Sequence, residues 1–209
     1  MKYKLWNWAR DYDEERVLYF CGSISDERWF DDDITPAMFK AELFADRGDV
    51  TIWMSSPGGD VISASQIYDM LRDYPGNVTI KISGIAASAA TVVAMAGNSV
   101  LMAPTALMLL HNPSAIAVGD ADEMRKTIEL LEAVKESIIN AYQIKSKLPR
   151  EQLSQIMNAG KMLTAQDAIA LGLADDILKA RKMQPSAEPP KPDGVAADLL
   201  DKRLSLILH

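Results

Sequence analysis

An α/β fold built on a parallel sheet is predicted by three features of this chain. Short runs rich in β-branched and aromatic residues recur at 17–22, 50–55 and 77–83. Between them lie segments with apolar residues at helical spacing, and the handovers carry Gly, Pro or a residue able to cap a helix. Strand, crossover helix and parallel strand repeated in this way imply layers of helix on sheet with right-handed connections. At 209 residues the chain is long enough for one such core plus a short appendage.

Residues 17–22 (VLYFCG) end on Gly22 and read as a buried strand. Thr35 then caps a helix with Pro36 at its first position and Met38, Phe39, Leu43 and Phe44 on its apolar side. Residues 50–55 (VTIWMS) are the next strand, and 56–60 (SPGGD) form a turn into a helix in which Ile62, Ile67, Met70 and Leu71 keep an approximate helical period. Residues 77–83 (NVTIKIS) alternate as a strand, 87–96 read as a helix of small residues, and 99–111 return as strand with a turn near Pro104. One long helix spans 120–147, with Met124, Ile128, Leu131, Val134, Ile138 and Tyr142 on one stripe. Such a helix either covers its own sheet or reaches out to another subunit, and periodicity does not choose between them. Pro185, Pro189, Pro190 and Pro192 mark a linker within 181–194. Residues 195–209 follow as an amphipathic tail, either a docking helix or a frayed end.

Composition removes several function classes. Lys and Arg number 22 against 29 Asp and Glu, a net charge of −7, so a basic groove for nucleic acid is not expected. Cys21 stands alone and cannot form an intrachain disulfide, which fits a reducing compartment. The N-terminal MKYKLWNWARDYDEE turns acidic before any apolar core develops, unlike a signal peptide. The longest apolar stretch, 85–96, is interrupted by Ser88 and Thr91 and is too short to span a bilayer. A soluble cytoplasmic protein without membrane or nucleic-acid partners is expected. With one cysteine and two histidines, His111 and His209, no zinc cluster can be assembled. Neither GxxxxGK[ST] nor GxGxxG occurs, so no cofactor is expected and any ATP dependence would come from a partner.

Three segments carry chemistry. In SPGGD, Gly58 and Gly59 let the backbone turn and approach a ligand with no Cβ in the way, although most such segments are only turns. In GIAASAATVVAMAG, Ser88 sits at a strand-to-helix handover beside backbone N–H groups that the helix leaves unused and that would stabilise an oxyanion. The plainer alternative is that its hydroxyl bonds back within a tightly packed Ala-rich helix. The apolar strand LMLLHNP ends on His111, the one imidazole within the fold, which would serve Ser88 as general base or would be merely a satisfied edge residue.

SPGGD, G-x-A-A-S-A and L-L-H-N-P, in this order and followed by a long helix and LTAQDAIALGLADDI, resemble the Clp protease proteolytic subunit family, serine peptidases of the crotonase-like superfamily. The resemblance covers about 17–178. WFDDDITPAMF, HNP in place of HQP, and the Pro-rich tail resemble the phage and prophage branch, the Clp-related head maturation proteases. The resemblance implies a layered fold of repeated β-β-α/β-α-β units over a peptidase domain at 1–180, with helix 120–147 as a protruding handle. It implies Ser88 as nucleophile, His111 as general base, Gly59 and Ala89 as oxyanion N–H donors, and strand addition of an extended peptide at Gly58 and Gly59. It also implies a homo-oligomeric ring, alone or stacked, in the bacterial host cytoplasm, with capsid or scaffold protein as substrate.

One position departs from the family. The acid that orients the histidine falls at Gly160, in MNAGKMLTA, which leaves the third triad member unknown, with Asp167 and Asn158 as candidates. Three further readings stay open: a degradative subunit fed by a Clp-type ATPase, a non-catalytic oligomeric assembly protein, and acyl-CoA chemistry. The last leaves the pairing of Ser88 with His111 unexplained.

Overall fold

The computed structural model describes residues 8–10 and 16–179. The linker expected within 181–194, the tail at 195–209 and the boundary after 180 all lie outside the described residues.

Strands β1 (Trp8–Arg10), β2 (Arg16–Ile24), β3 (Val50–Gly59), β4 (Val78–Ala87) and β5 (Ser99–Met102) lie in this order in an eight-stranded sheet, followed by β8 (Asp176–Ile177). From β2 to β8 the neighbours in this order are parallel, and β1 runs antiparallel to β2. Helices α1 (Pro36–Leu43), α2 (Val61–Arg72) and α3 (Ala89–Ala94) are the connections between the parallel strands β2, β3, β4 and β5. Strand β6 (Leu107–Leu109) pairs parallel with the C-terminal part of β4 and antiparallel with β7 (Met162–Thr164).

Local chemistry sets these elements. Thr35 accepts the Met38 N–H through its side chain and starts α1, while the Arg16 guanidinium donates to the Glu42 and Leu43 carbonyls at its far end. Asp60 caps α2 by accepting the Ser63 N–H. The core fills with Ile52, Met54, Ile80 and Ile82 from the central strands, with Phe39, Leu43, Ile67 and Leu71 from the helices, and with all six residues of α3. Two residues expected on apolar helix faces, Phe44 and Ile62, are instead exposed. Phe44 falls at the C-cap of α1, and on α2 the small Ser63 and Ala64 turn inward in place of Ile62.

Three boundaries differ from expectation for one reason, that ladder pairing overrides turn chemistry. Ser56 to Gly59 is not a turn but the end of β3, because Gly58 and Gly59 pair with Ser23 and Ile24 across a bulge. The buried Ser56 hydroxyl secures that bulge, donating to the Gly22 carbonyl at 2.6 Å and accepting the Gly58 N–H at 3.2 Å. Strand β4 runs past Ser83 to Ala87 because Ile85, Ala86 and Ala87 pair with β6. The expected single strand 99–111 is accordingly two strands, β5 and β6, set against different parts of β4.

Helix α4 (Ala121–Ser146) is capped by Asp120 and ends on Lys147 in the left-handed region. Its expected stripe is buried at Ile138 and Tyr142, but Met124 is 38 % and Ile128 57 % exposed. The C-terminal half thus covers the body, and the apolar stripe continues uncovered along the N-terminal half. After α4 come α5 (Arg150–Ala159) and α6 (Ala165–Ala170). Among the described residues, no helix is long and apolar enough to cross a membrane.

Candidate active site

The C-terminal ends of the parallel strands β4 and β6 bring Ser88 and His111 together. Ala87 and Leu109 are partners in register, so the next turns of chain, at Ser88 and at Leu110 to His111, leave the sheet side by side. Both residues line one pocket of about 240 Å³ with Gly59, Ala89, Ile138 and Tyr142. Placing a site outside the carboxyl ends of parallel strands follows the general rule for such sheets.

Ser88 is held in a conformation that few side chains tolerate, with φ 55° and ψ −130°. Its N–H donates to the Leu109 carbonyl at 3.0 Å, and its carbonyl accepts the Thr91 N–H at 2.9 Å and the Thr91 hydroxyl at 2.5 Å. A strained serine at a helix start would ordinarily gain about 1 kcal/mol by capping. Ser88 makes no side-chain capping bond, so the reading in which its hydroxyl bonds back into the helix does not describe this chain. Strain with the hydroxyl left free is the arrangement of a nucleophile at a strand-to-helix turn.

The Thr91 hydroxyl also lies 2.6 Å from the hydroxyl of Tyr142, which is wholly buried. Its one proton goes to the Ser88 carbonyl, so Tyr142 is the donor in that pair. Burial pushes the Tyr142 hydroxyl far above the ordinary phenol range and keeps it protonated for that task. The base of α4 is thereby tied to the backbone that carries Ser88.

Both glycines are required by contact. A Cβ on Gly58 would lie 2.5 Å from the Ala87 carbonyl oxygen, 2.8 Å from Ser88 Cβ and 2.9 Å from the Ala89 nitrogen. A Cβ on Gly59 would lie 2.1 Å from the Ile24 carbonyl oxygen. The Asp60 N–H donates to that carbonyl at 2.8 Å, and alternation along an extended strand aims the preceding Gly59 N–H the other way, toward the pocket. The Ala89 N–H opens α3, where helical geometry provides no partner.

Among the described residues, neither candidate for a third triad member hydrogen-bonds His111. Asp167 closes a capping box on Thr164 at the start of α6, and the bonds it accepts from the Thr164 N–H and hydroxyl hold its carboxyl below the usual carboxylate range. Asn158 accepts from Asn112 Nδ2 and Lys135 Nζ, not from His111. Gly160 ends α5 at φ 55°, and a Cβ there would lie 4.0 Å from His111 Cβ. His111 Nδ1 itself lies 2.6 Å from the carbonyl oxygen of Asn112. Among the described residues, no group of His, Cys, Asp and Glu is placed to hold a metal ion. Burial raises the Cys21 thiol above its ordinary value, which leaves it a poor competitor to Ser88 as nucleophile.

Sequence reasoning missed the Tyr142–Thr91 pair and the Asn112 carbonyl. The Tyr142 position was legible as part of a helical stripe, but its hydroxyl partner, 51 residues away, was not.

The family model for Clp protease matches residues 4–181. The chain belongs to the Clp protease family. Among curated relatives, this Clp protease is 29% identical over 188 residues to an ATP-dependent Clp protease proteolytic subunit 4 of Streptomyces avermitilis, covering 86% of the chain and 82% of that protein. It is 31% identical over 176 residues to a proteolytic subunit 2 of Corynebacterium jeikeium, covering 81% and 82%. A proteolytic subunit-related protein 2 from the chloroplast of Arabidopsis thaliana is 24% identical over 187 residues, covering 87% and 66%. The mixed sheet and helix layers are those of the family fold, and the chain is an enzyme of the serine-peptidase type.

Proposed function

We propose that this Clp protease cleaves peptide bonds through an acyl-enzyme on Ser88, with His111 as general base. The observation that carries this reading is the strained Ser88, its hydroxyl unused for capping, in one pocket with His111. Ser88 Oγ attacks the peptide carbonyl carbon as its proton passes to the His111 ring. The carbonyl oxygen becomes an oxyanion facing the Gly59 and Ala89 N–H groups, a type of interaction worth about 3–4 kcal/mol per donor in a serine peptidase. The C–N bond then breaks as the ring returns the proton to the leaving amine. Water activated by the same ring releases the acid.

An extended peptide adds beside Gly58 and Gly59 in this reading. Strand β3 pairs with β4 only as far as Ser56, so the glycine segment presents an edge outside that ladder. The uncovered apolar stripe on the N-terminal half of α4, with exposed Ile116 and Val118 before it, supports a subunit contact in a homo-oligomeric ring.

The relatives are named as ATP-dependent proteolytic subunits, which supports a degradative subunit fed by a Clp-type ATPase over capsid or scaffold processing. The latter rests only on WFDDDITPAMF, HNP and the Pro-rich tail. A second reading, the non-catalytic assembly protein, is favoured by Gly160 alone. Hydrolysis of a fluorogenic peptide, and of an unfolded protein with a Clp-type ATPase and ATP, tests these alternatives. Turnover by the native chain and none by Ser88→Ala at unchanged oligomeric mass is expected. Absence of turnover under both conditions favours the assembly protein, and equal turnover by Ser88→Ala overturns the assignment.

A further inference from the structure

The His111 ring makes one hydrogen bond among the described residues, from Nδ1 to the carbonyl oxygen of Asn112. A carbonyl oxygen only accepts, so this contact requires the proton on Nδ1 and leaves the lone pair on Nε2. That is the tautomer a general base needs in order to take a proton from serine.

The residue that carries this carbonyl is tethered through its side chain. Asn112 Nδ2 donates to Asn158 Oδ1 at 3.0 Å, and Lys135 Nζ donates to the same oxygen at 2.7 Å. The Asn112 Oδ1 is buried with no partner among the described residues, so the bond to Asn158 fixes that amide. Asn158 comes from α5 and Lys135 from α4, so the side chain that follows the histidine is tied to α5 and, through Asn158, to α4. Gly160 leaves room beside this residue, since an added Cβ there would meet only His111 Cβ within 4 Å.

We infer that the backbone carbonyl of Asn112, whose side chain is tethered to Asn158, orients His111 in place of the absent carboxylate, and that Asn112 and Asn158 are positioning residues. The inference rests on the reading of His111 as general base for Ser88. A neutral carbonyl fixes the ring and its tautomer, but it gives the imidazolium formed during attack a dipole where a carboxylate would give a charge. The protein therefore keeps the correct tautomer and forgoes part of the charge stabilisation. A carboxylate at position 160 adds that part back, and Asp is among the residues that tolerate the left-handed backbone found there.

The test is nitrogen-15 magic-angle-spinning NMR on the full chain labelled only at histidine, recorded as a function of pH. The chain has two histidines, and His209→Gln assigns the signals. His111 is expected with a protonated Nδ1 and a bare Nε2. Asn158→Ala is expected to admit the Nε2–H tautomer and to slow labelling of Ser88 by a fluorophosphonate about tenfold, well short of the ~10⁴ that a wrong tautomer costs a triad. Asn158→Asp keeps an acceptor oxygen for both donors and should preserve tautomer and rate. Gly160→Asp in the Asn158→Ala background should restore both.

A native ring protonated on Nε2, or an Asn158→Ala variant with unchanged tautomer and rate, overturns the inference. Because Asn158 is exposed, its replacement does not open the core. Labelled Ser88 beside an Nε2–H ring overturns the positioning inference and leaves the peptidase reading standing. An Nδ1–H ring with no labelled serine upholds the orientation and overturns the general-base reading.

Discussion

Replacing Gly58 by alanine separates a demand for backbone freedom from a demand for space. The residue sits at φ +93°, where a side chain costs about 1–3 kcal/mol whatever surrounds it. Beyond that strain, the new Cβ lies 2.5 Å from the Ala87 carbonyl oxygen and 2.9 Å from the Ala89 nitrogen, against an ordinary contact near 3.4 Å. The Ala87–Ala89 backbone or β3 must retreat by roughly 0.9 Å, and a displacement of about 1 Å at a reacting centre costs on the order of 10² in rate. Gly48→Ala is the control, because Gly48 also has a positive φ, +102°, but an added Cβ meets nothing within 4 Å. Each variant should lose about 2–4 °C in melting temperature per kcal/mol of strain. Only Gly58→Ala should also slow fluorophosphonate labelling, by about 10². Comparable labelling rates in the two variants would refute the reasoning that the Gly58 contact places Ser88 and Ala89.

Three further predictions concern the same framework. Ser88→Gly relieves the strain at φ 55° and should raise stability by about 1 kcal/mol while abolishing labelling, read by thermal melting and intact mass. Tyr142→Phe removes the donor to Thr91 and should cost about 1–2 kcal/mol in urea unfolding, with a smaller loss in labelling rate than Gly58→Ala. Asp167→Ala should lower the melting temperature at neutral pH. The Asp167 carboxyl is depressed by its bonds from Thr164, so its contribution is present above the unfolded-state value and is lost as pH falls through the folded-state value. Calorimetry over acidic pH should therefore show the native and variant curves converging.

The sequence was most informative where chemistry is local. Thr35 with Pro36, and Asp120 ahead of its long helix, announce helix starts that the structure places at those residues. Ser88 at a strand-to-helix handover was legible because Ala-rich helix follows apolar strand. What it hid depends on pairing over distance. The SPGG segment carries turn residues, yet the bulge at Cys21 to Ser23 and the Ser56 hydroxyl draw it into the sheet. The stripe on α4 announced a helix but not which half is covered, because burial depends on where the body ends. The sequence shows a glycine at position 160, where the family resemblance leads one to look for an acid, but the carbonyl beside His111 belongs to the backbone and carries no residue signature.

The central claim, an activated Ser88, is tested most directly by intact-mass detection of a covalent fluorophosphonate adduct on the native chain, Ser88→Ala and His111→Ala. One adduct per native chain, absent from Ser88→Ala and lost or greatly slowed in His111→Ala, is the predicted result. An adduct that survives Ser88→Ala, or a native chain that never forms one, would contradict it.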